Sequence, residues 1–313
     1  MAPFPWSYLM TAQMMLPADM QETNERRFLR KHLDGYVRDL IKSDSDLIKR
    51  TQIGVQALEQ WRSSSYYPSK NRRLAQLQGL DLESLVVKIF TAIAYCQEPQ
   101  TFVSVTAQLA GYLGFDDKVD SIITTAEMVA VLHITGVFTI TKAAIDAPML
   151  VQSTIDFPAD LVMAIQRSRY PLPMVCEPLH IQNNFESPYL TFNECQIMGK
   201  GNSHSGDICL DVINKQNQIP LSLATDFIST VEEEPSFALE TPEQRFQWAQ
   251  FKWESYDTYL LLAKQGNRFW LTHKVDKRGR LYAHGYHVSY MGSPFKKAIV
   301  ELANKEVVRG VPK

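Results

Sequence analysis

Apolar positions in the first 135 residues recur every three or four residues, as they do on one face of an amphipathic helix. In residues 21–42 this apolar face, which includes Leu33 and Val37, lies opposite arginines and lysines and predicts one helix. The same spacing predicts helices over residues 46–63, 81–96, 101–114 and 117–133. Together these elements predict an N-terminal helical domain over residues 1–135.

The pattern changes at Gly136 from helical spacing to short strand-like runs. Residues 137–141 and 149–154 have strand composition and residues 142–148 can turn the chain, which predicts a β-hairpin. An irregular stretch follows, with a short helix from about residue 156 and short strands at residues 190–192 and 195–198. We therefore predict a mainly helical α+β protein, with the hairpin and a linking region over residues 136–240 and a third segment over residues 241–313.

A helix predicted over residues 243–265 leads into the pentad Asp276-Lys277-Arg278-Gly279-Arg280, which stands between apolar runs. This composition predicts a strand, a tight turn at the glycine and further extended chain. Asp276 can hold Arg278 or Arg280 in one rotamer, and a fixed guanidinium offers a planar set of donors that suits phosphate oxygens. The pentad is typical of a contact with nucleic-acid backbone, but a surface turn with an ion pair is the more frequent explanation of the pentad alone.

The pentad and its flanks resemble the single-subunit RNA polymerases of phage and mitochondria, the T-seven type, in which a T/D-x-x-G-R motif lies at the edge of the palm. Residues 260–265 and Phe269 are similar to the family's helix and approach before the motif, and residues 292–303 are similar to a helix that follows it. Residues 219–228 resemble a buried helix of the family, and residues 172–178 resemble its P-M-V element. The resemblance implies that residues 241–313 belong to the palm and thumb region of a polymerase.

The resemblance also implies roles for the motif residues at the template strand and the RNA–DNA hybrid. Arg280 would contact the template, Gly279 would allow a close approach, Asp276 would orient a neighbour and Tyr282 would add a contact; the binding residues implied are Asp276, Arg278, Gly279, Arg280 and Tyr282. The family commonly has an aromatic residue where Lys277 stands, so the role of Lys277 stays open.

The predicted β-hairpin matches the place of a family hairpin that lies at the upstream edge of the melted DNA. The resemblance therefore implies a strand-separating role for Val137, Phe138, Ile140 and Lys142. An ordinary packed hairpin is an equally good interpretation of the same residues.

The family's chemistry is two-metal phosphoryl transfer, and its catalytic aspartates and His-Asp pair lie downstream of the motif. This chain extends 33 residues beyond Arg280 and contains no His-Asp dipeptide. We therefore expect no catalytic residue and no metal ligand in this chain, and Mg²⁺ at the active centre of an assembled enzyme. A truncated longer polymerase and a natural smaller subunit both explain this. We favour the subunit, as in the heterodimeric phage polymerases of the N-four type.

The expected partners are a larger polymerase subunit, template DNA, nascent RNA and accessory DNA-melting or single-stranded-DNA-binding factors. The chain alone is expected to be inactive. The alternative is a non-enzymatic DNA-binding or transcription adaptor derived from a polymerase fragment. A split polymerase predicts a large apolar interface, whereas an adaptor predicts a well-behaved monomer.

Composition is that of an ordinary globular protein, with 45% apolar and 21% charged residues and a net charge of −2. The four cysteines form no metal-binding or C-x-x-C pattern, and no signal peptide or membrane span is predicted, so we expect a cytoplasmic protein of an infected host cell. Lys70, Arg72 and Arg73 lie beside Tyr66 and Tyr67, a basic and aromatic mixture for which nucleic-acid binding and a solvated surface are both open.

Overall fold

The computed structural model describes residues 16–142, 144–199, 201–305 and 310. The chain divides into two compact units. We call residues 31–165 the helical unit, and the described residues of 1–30 and 166–313 the split unit, because it is built from two separate stretches of chain. These groupings differ from the predicted segments 1–135, 136–240 and 241–313, whose folding as domains stays a prediction.

The helical unit forms where apolar residues recur at helical spacing. Gly54 lies in the helix Ser45–Ser63 where this helix packs against the other core helices, and a Cβ atom there would come within 2.9 Å of Leu132 Cδ2. Glycine therefore permits the close packing of this core, in which Leu58, Phe90 and Leu132 are fully buried. Its elements are α2 (Arg30–Ser43), α3 (Ser45–Ser63), α4 (Pro68–Ala75), α5 (Leu82–Ile93), β1 (Gln100–Thr101), α6 (Phe102–Leu109), α7 (Lys118–Leu132), β2 (Phe138–Lys142), β3 (Met149–Ser153) and α8 (Ala159–Arg167), whose end enters the split unit.

The predicted β-hairpin is confirmed and consists of β2 and β3. The strands pair antiparallel from Phe138 with Ser153 to Lys142 with Met149. β1 pairs with the other side of β3, so that the sheet has three strands in the order β1-β3-β2. The hairpin is thus part of a sheet that belongs to the helical unit.

The basic and aromatic stretch of residues 66–73, which leads into α4 and forms most of it, has a structural role. Arg73, which is 4% exposed, donates from Nη2 to Glu127 Oε1 at 2.7 Å, and Lys70 Nζ lies 2.7 Å from Glu127 Oε2. Lys70 Nζ also lies 3.7 Å from the centroid of the Tyr66 ring. Glu127 neutralises two of the three cations, and its ion pairs hold α4 on α7.

The split unit combines the first helix with the C-terminal half of the chain. One core cluster lies between the helix Pro242–Lys264 and the strands near it, and includes Leu223, Tyr259, Leu262, Phe269 and Leu271. Its remaining elements are α1 (Pro17–Phe28), α9 (Leu210–Asn217), β4 (Leu221–Leu223), α10 (Thr225–Thr230), α11 (Pro242–Lys264), β5 (Thr272–Val275), β6 (Leu281–His284), α12 (Pro294–Ala298) and β7 (Val300–Leu302). The helix predicted over residues 243–265 is confirmed as α11.

Three predicted helices are wrong in extent. The helix predicted over residues 21–42 is broken at Leu29, which is extended with φ −89° and ψ 126°. The helix predicted over residues 219–228 is the strand β4 followed by α10, and the helix predicted over residues 292–303 is the short α12 followed by β7. The last two errors have one cause, because β4 and β7 pair with each other, Leu221 with Leu302 and Leu223 with Val300.

The predicted short strands at residues 190–192 and 195–198 are irregular chain, apart from one parallel bridge between Ile197 and Val275. All four cysteines, Cys96, Cys176, Cys195 and Cys209, are free thiols. Among the helices described here, none is both long and apolar enough to cross a membrane.

Candidate nucleic-acid-binding turn

The pentad forms the turn of a two-stranded antiparallel hairpin in the split unit. β5 and β6 pair from Thr272 with His284 to Val275 with Leu281. The Asp276 N–H donates to the Arg280 carbonyl at 2.9 Å, which extends the ladder by one pair and leaves a three-residue loop. The predicted strand, glycine turn and extended chain are therefore confirmed.

The glycine is required by the geometry of this loop. The Gly279 N–H donates to the Asp276 carbonyl at 2.9 Å, and Gly279 has a φ of +78°. Three-residue hairpin loops commonly end on a residue in the left-handed region, where glycine carries no Cβ penalty. Gly279 therefore closes the hairpin, and an added Cβ would meet nothing within 4 Å in the free protein.

Asp276 fixes Arg278 by its side chain and Arg280 by its backbone. One carboxylate oxygen, Oδ2, accepts from Arg278 Nε at 2.9 Å and Nη2 at 2.7 Å. The other, Oδ1, accepts from the N–H groups of Arg278 at 2.8 Å and Arg280 at 3.0 Å. Desolvation raises the pKa of Asp276, but the hydrogen bonds from Arg278 and Arg280 outweigh it and lower this pKa to about 2. The sequence left the partner of Asp276 open, and the structure assigns it to Arg278.

Two of the three cations at the turn have no carboxylate partner among the described residues. Lys277, Arg278 and Arg280 are exposed, and Asp276 neutralises Arg278 alone. Among the residues that the structure describes, none accepts a hydrogen bond or an ion pair from the guanidinium of Arg280. Tyr282 lies half-buried on β6 opposite Lys274, and its hydroxyl contributes to a raised pKa of Arg278 after the larger contribution of Asp276. The surface offered to a ligand is thus basic in a chain whose net charge is −2.

The turn is anchored through Val275, the last residue of β5. The Val275 N–H donates to the Gln196 carbonyl at 3.0 Å, and the Val275 carbonyl accepts from the Met198 N–H at 2.7 Å. Lys274 Nζ forms an ion pair with Glu194 Oε2 at 2.7 Å. Val275 itself is 1% exposed in a small apolar cluster. Such support from a buried strand orients exposed side chains of the turn without the entropy cost of a mobile loop.

The histidines near the hairpin are structural. His273 is 1% exposed, and its ring nitrogens contact Asn217 Oδ1 and the Tyr290 hydroxyl. Desolvation, with a smaller effect of the neighbouring His284, lowers the pKa of His273 to about 4. The ring is therefore neutral at pH 7 and holds β5 against α9 and the chain after β6.

The side chains at the turn do not fit a divalent metal. Both carboxylate oxygens of Asp276 already accept hydrogen bonds from Arg278 and Arg280, which leaves no lone pair directed outward for Mg²⁺. Within the described ranges there is no group of three or more histidine, cysteine or acidic side chains that could hold a metal ion. The Mg²⁺ expected at the active centre of an assembled enzyme stays a prediction.

The second predicted site, the β2–β3 hairpin, is accessible only towards its tip. Val137 is fully buried and Phe138 is 1% exposed, so both belong to the core of the helical unit. Ile140 is half-buried and Lys142 is exposed. In this conformation Val137 and Phe138 do not reach a DNA strand, and a strand-separating role for Ile140 and Lys142 stays a prediction.

The structure also brings together Ser255, His287 and Glu254, a grouping that sequence order did not reveal. Ser255 Oγ lies 2.8 Å from His287 Nδ1, and His287 Nε2 lies 3.8 Å from Glu254 Oε2. Ser255 is 2% exposed, and its hydroxyl donates to the Phe251 carbonyl one turn earlier in α11. A hydroxyl that is buried and committed to its own helix does not act as a nucleophile, so this grouping is part of the core.

Replacing Gly279 by alanine tests separately whether this residue closes the turn and whether it allows a nucleic-acid backbone to approach closely. Because the space around the added Cβ is open and only the positive φ opposes it, we expect a loss of about 1 kcal/mol in the free energy of unfolding. If a nucleic-acid backbone lies against Gly279, the affinity for a primed template should fall by more than tenfold. Thermal denaturation measures the change in stability, and fluorescence anisotropy measures the change in affinity. An unchanged affinity would limit Gly279 to closing the turn. Gly201→Ala, also at a positive φ with open space around it, is the matched control.

No protein-family model matches the chain, and a search of curated proteins also gives no match.

Proposed function

We propose that this chain is the smaller, template-binding subunit of a two-chain DNA-dependent RNA polymerase of the phage single-subunit type. The proposal rests above all on the rigid β5–β6 turn, which carries an exposed Arg280 at the end of the D-x-x-G-R pentad. Residues 260–265 and Phe269 before the pentad resemble the same family, which adds to the specificity of the short pentad. The palm, thumb and strand-separating roles of the surrounding segments belong to the same proposal.

In this proposal the turn holds the sugar-phosphate backbone of the template strand. Arg280 donates to a phosphate, and Lys277 adds a second positive charge beside it. Asp276 keeps Arg278 from folding over Arg280, because its carboxylate accepts from both Nε and Nη2 of Arg278. A guanidinium on a fixed backbone binds a phosphate with good geometry and contributes about one unit to the salt dependence of binding.

Nucleotide addition itself is assigned to the larger partner chain. Described residues of this chain near the turn supply a cationic surface and offer no free carboxylate, since Asp276 is fully engaged. The role of this chain is to position the template beside the partner's active centre, which makes it an enzyme subunit with no activity of its own.

The test is RNA synthesis on a single-stranded DNA template with Mg²⁺ and four ribonucleotides. We expect no RNA from this chain alone and none from the product of the adjacent reading frame alone. We expect RNA from the two chains co-expressed. Synthesis by this chain alone would contradict the assignment of chemistry to the partner. DNA binding without synthesis by the pair would favour the adaptor.

The variant Arg280→Ala tests the role of the turn. We expect it to lower RNA synthesis by the pair at least tenfold and to reduce the salt dependence of template binding by about one unit. Association of the two chains should stay unchanged, as gel filtration measures. The matched control is Arg26→Ala, which removes an exposed arginine that pairs with Glu22 on α1 of the same unit. Loss of association in Arg280→Ala would assign the residue to the interface and contradict template binding.

A further inference from the structure

A short segment before α9 runs beside the end of β5 and leads into a loop next to the D-x-x-G-R turn. Ile197 forms a parallel bridge with Val275. The Val275 N–H donates to the Gln196 carbonyl at 3.0 Å, and the Met198 N–H donates to the Val275 carbonyl at 2.7 Å. Chains that pair in parallel leave the pair at the same end, about 5 Å apart. Residues 199 and 201–207, which we call the flanking loop, therefore emerge beside the turn.

The flanking loop is tied to the interior of the split unit, although its residues are mostly small and polar. Asn184, which is 5% exposed, donates from Nδ2 to the carbonyls of His204 at 2.8 Å and Gly206 at 2.7 Å. Asn202 Nδ2 donates to the Met198 carbonyl at 2.7 Å. A buried amide thus positions the outer part of the loop, which orients the side chains that the loop exposes.

His204 presents one neutral donor to solvent. Its Nδ1 accepts from the Gly206 N–H at 3.1 Å, so the neutral ring carries its proton on Nε2. The side chain is exposed, and in the described part of the chain no group accepts from this Nε2. The hydroxyl groups of Ser203 and Ser205 on either side of it are exposed as well. The flanking loop therefore offers hydrogen-bond donors that carry no positive charge.

The flanking loop also offers one free acceptor. Five carboxylates lie on the loop, the turn and the segments that support them, namely Glu186, Glu194, Asp207, Asp211 and Asp276. Glu186 accepts from two neighbouring residues, Glu194 pairs with the lysine of β5, and Asp276 is engaged within the turn. Asp207 and Asp211 are exposed and pair with none of the described residues. Asp211 belongs to the first turn of α9, so Asp207 is the free carboxylate of the loop.

This set of groups suits a sugar hydroxyl better than a phosphate. A phosphate diester oxygen only accepts hydrogen bonds, and a free carboxylate repels it. A ribose 2′-hydroxyl both donates and accepts, so it can donate to the carboxylate of Asp207 and accept from Nε2 of His204. The wide minor groove of an A-form hybrid displays these hydroxyls at its surface. A loop beside the turn that holds one strand is well placed to meet them.

We propose that the flanking loop binds ribose 2′-hydroxyl groups of the RNA strand in an RNA–DNA hybrid, with His204 as the donor and Asp207 as the acceptor. The inference rests on the proposed function, since the turn beside the loop holds the template strand of the same hybrid. The turn binds phosphates, which RNA and DNA share, whereas the loop distinguishes RNA from DNA. The chain therefore favours a template that carries a nascent transcript over duplex DNA.

The experiment measures, by fluorescence anisotropy, the affinity of the full-length chain for two primed templates that differ only in an RNA or a DNA primer of the same sequence. The wild-type chain is expected to bind the RNA-primed template about tenfold more tightly, since each net hydrogen bond contributes roughly a factor of two to ten. His204→Ala and Asp207→Asn should each reduce this ratio of affinities about threefold or more. His180→Ala and Asp211→Asn are the matched controls, at an exposed histidine and an exposed aspartate of the same unit, and should keep the wild-type ratio.

A primer with 2′-fluoro groups in place of the hydroxyls separates the hydroxyl contact from the shape of the hybrid. Fluorine keeps the A-form sugar but donates no hydrogen bond, so the wild-type chain should bind this primer about as weakly as the DNA primer. Equal affinity for the 2′-fluoro and RNA primers would show that the chain recognises helix shape and would overturn the inference. A His204→Ala variant that weakens both primed templates equally would make His204 a phosphate contact and would also overturn it.

The same assay distinguishes failure of this inference from failure of the proposed function. Arg280→Ala should weaken binding of both primed templates and keep their ratio, because a phosphate contact does not depend on the sugar. Wild-type affinity of Arg280→Ala for both templates would contradict template binding by the turn. A ratio that neither His204→Ala nor Asp207→Asn changes would overturn the role of the flanking loop alone. Circular dichroism should be unchanged in these variants, because every replaced side chain is exposed.

Discussion

Glu25→Ala is expected to lower the free energy of unfolding of the split unit by about 3 to 5 kcal/mol. Glu25 lies on α1 and is 2% exposed. Its Oε1 accepts from Gln21 Nε2 at 2.8 Å and from the Leu190 N–H at 3.0 Å. Its Oε2 accepts from the N–H of Thr191 at 2.8 Å and from the hydroxyl of Thr191 at 2.6 Å. Alanine removes the acceptors of these four donors and leaves a cavity, so the penalty is that of several buried groups without partners.

Urea denaturation measures this effect, with hydrogen exchange of the α1 and β5 amides as the readout. The control is Glu22→Ala, three residues earlier on the same helix, where the carboxylate forms an exposed ion pair with Arg26. That substitution should cost less than about 1 kcal/mol. Glu25→Gln keeps one oxygen acceptor and should fall between the two. A Glu25→Ala variant as stable as Glu22→Ala would show that α1 is not anchored through this carboxylate.

Acidification from pH 7 to pH 5 is expected to remove about 2 kcal/mol of stability from the split unit through His273 alone. Desolvation is the largest cause that lowers the pKa of His273 from 6.5 to about 4 in the folded protein. As the pH falls, His273 therefore binds a proton at a higher pH in the unfolded chain than in the folded chain. The contribution of neutral His273 to the free energy of unfolding is fully present above pH 6.5 and is lost as the pH falls towards 4. His284 and His287, whose pKa values desolvation also lowers to about 4, act in the same direction.

One neighbouring group acts in the opposite direction. Desolvation raises the pKa of Glu254, whose Oε2 lies 3.8 Å from His287 Nε2, so the folded state takes up this proton more readily than the unfolded state. His273 is therefore the clearer residue to test. Urea denaturation at pH 7, 6 and 5 should show a smaller slope with pH for His273→Gln than for the wild-type chain. His180→Gln, at an exposed histidine of the same unit, is the matched control. An equal slope in His273→Gln would contradict the role of buried neutral imidazole.

Helices and turns that depend on residues close to one another in the sequence were predictable from the sequence. The helical spacing of α3, α5, α7 and α11 placed these helices within a few residues of their observed ends. The β2–β3 hairpin was predicted from composition and the turn between its strands. The D-x-x-G-R turn was predictable for the same reason, because Asp276 and Gly279 act within five residues of each other. Local hydrogen bonds and local side-chain periodicity carry this information.

The sequence also set the candidate chemistry at the turn but not its arrangement. Asp276 was expected to orient an arginine, and both Arg278 and Arg280 were candidates. The three-residue loop brings the side chain of Arg278 back to the carboxylate and points the backbone N–H of Arg280 at it. Arg280 is therefore left exposed by the geometry of the loop, which residue types alone do not specify.

Interactions between distant parts of the chain decided the rest. β4 is a strand because it pairs with β7, 77 or more residues later, and this pairing overrides a sequence pattern that favours a helix. Glu25 is buried because residues 190 and 191 fold back over α1 with three donors, although a glutamate in an amphipathic segment normally faces solvent. Helix α11 has apolar side chains on two faces, and periodicity cannot show which of them is covered, since both have the same spacing. The sequence determined local elements through contacts a few residues apart, and only the tertiary structure decided which surfaces are buried, because burial depends on residues far away in the chain.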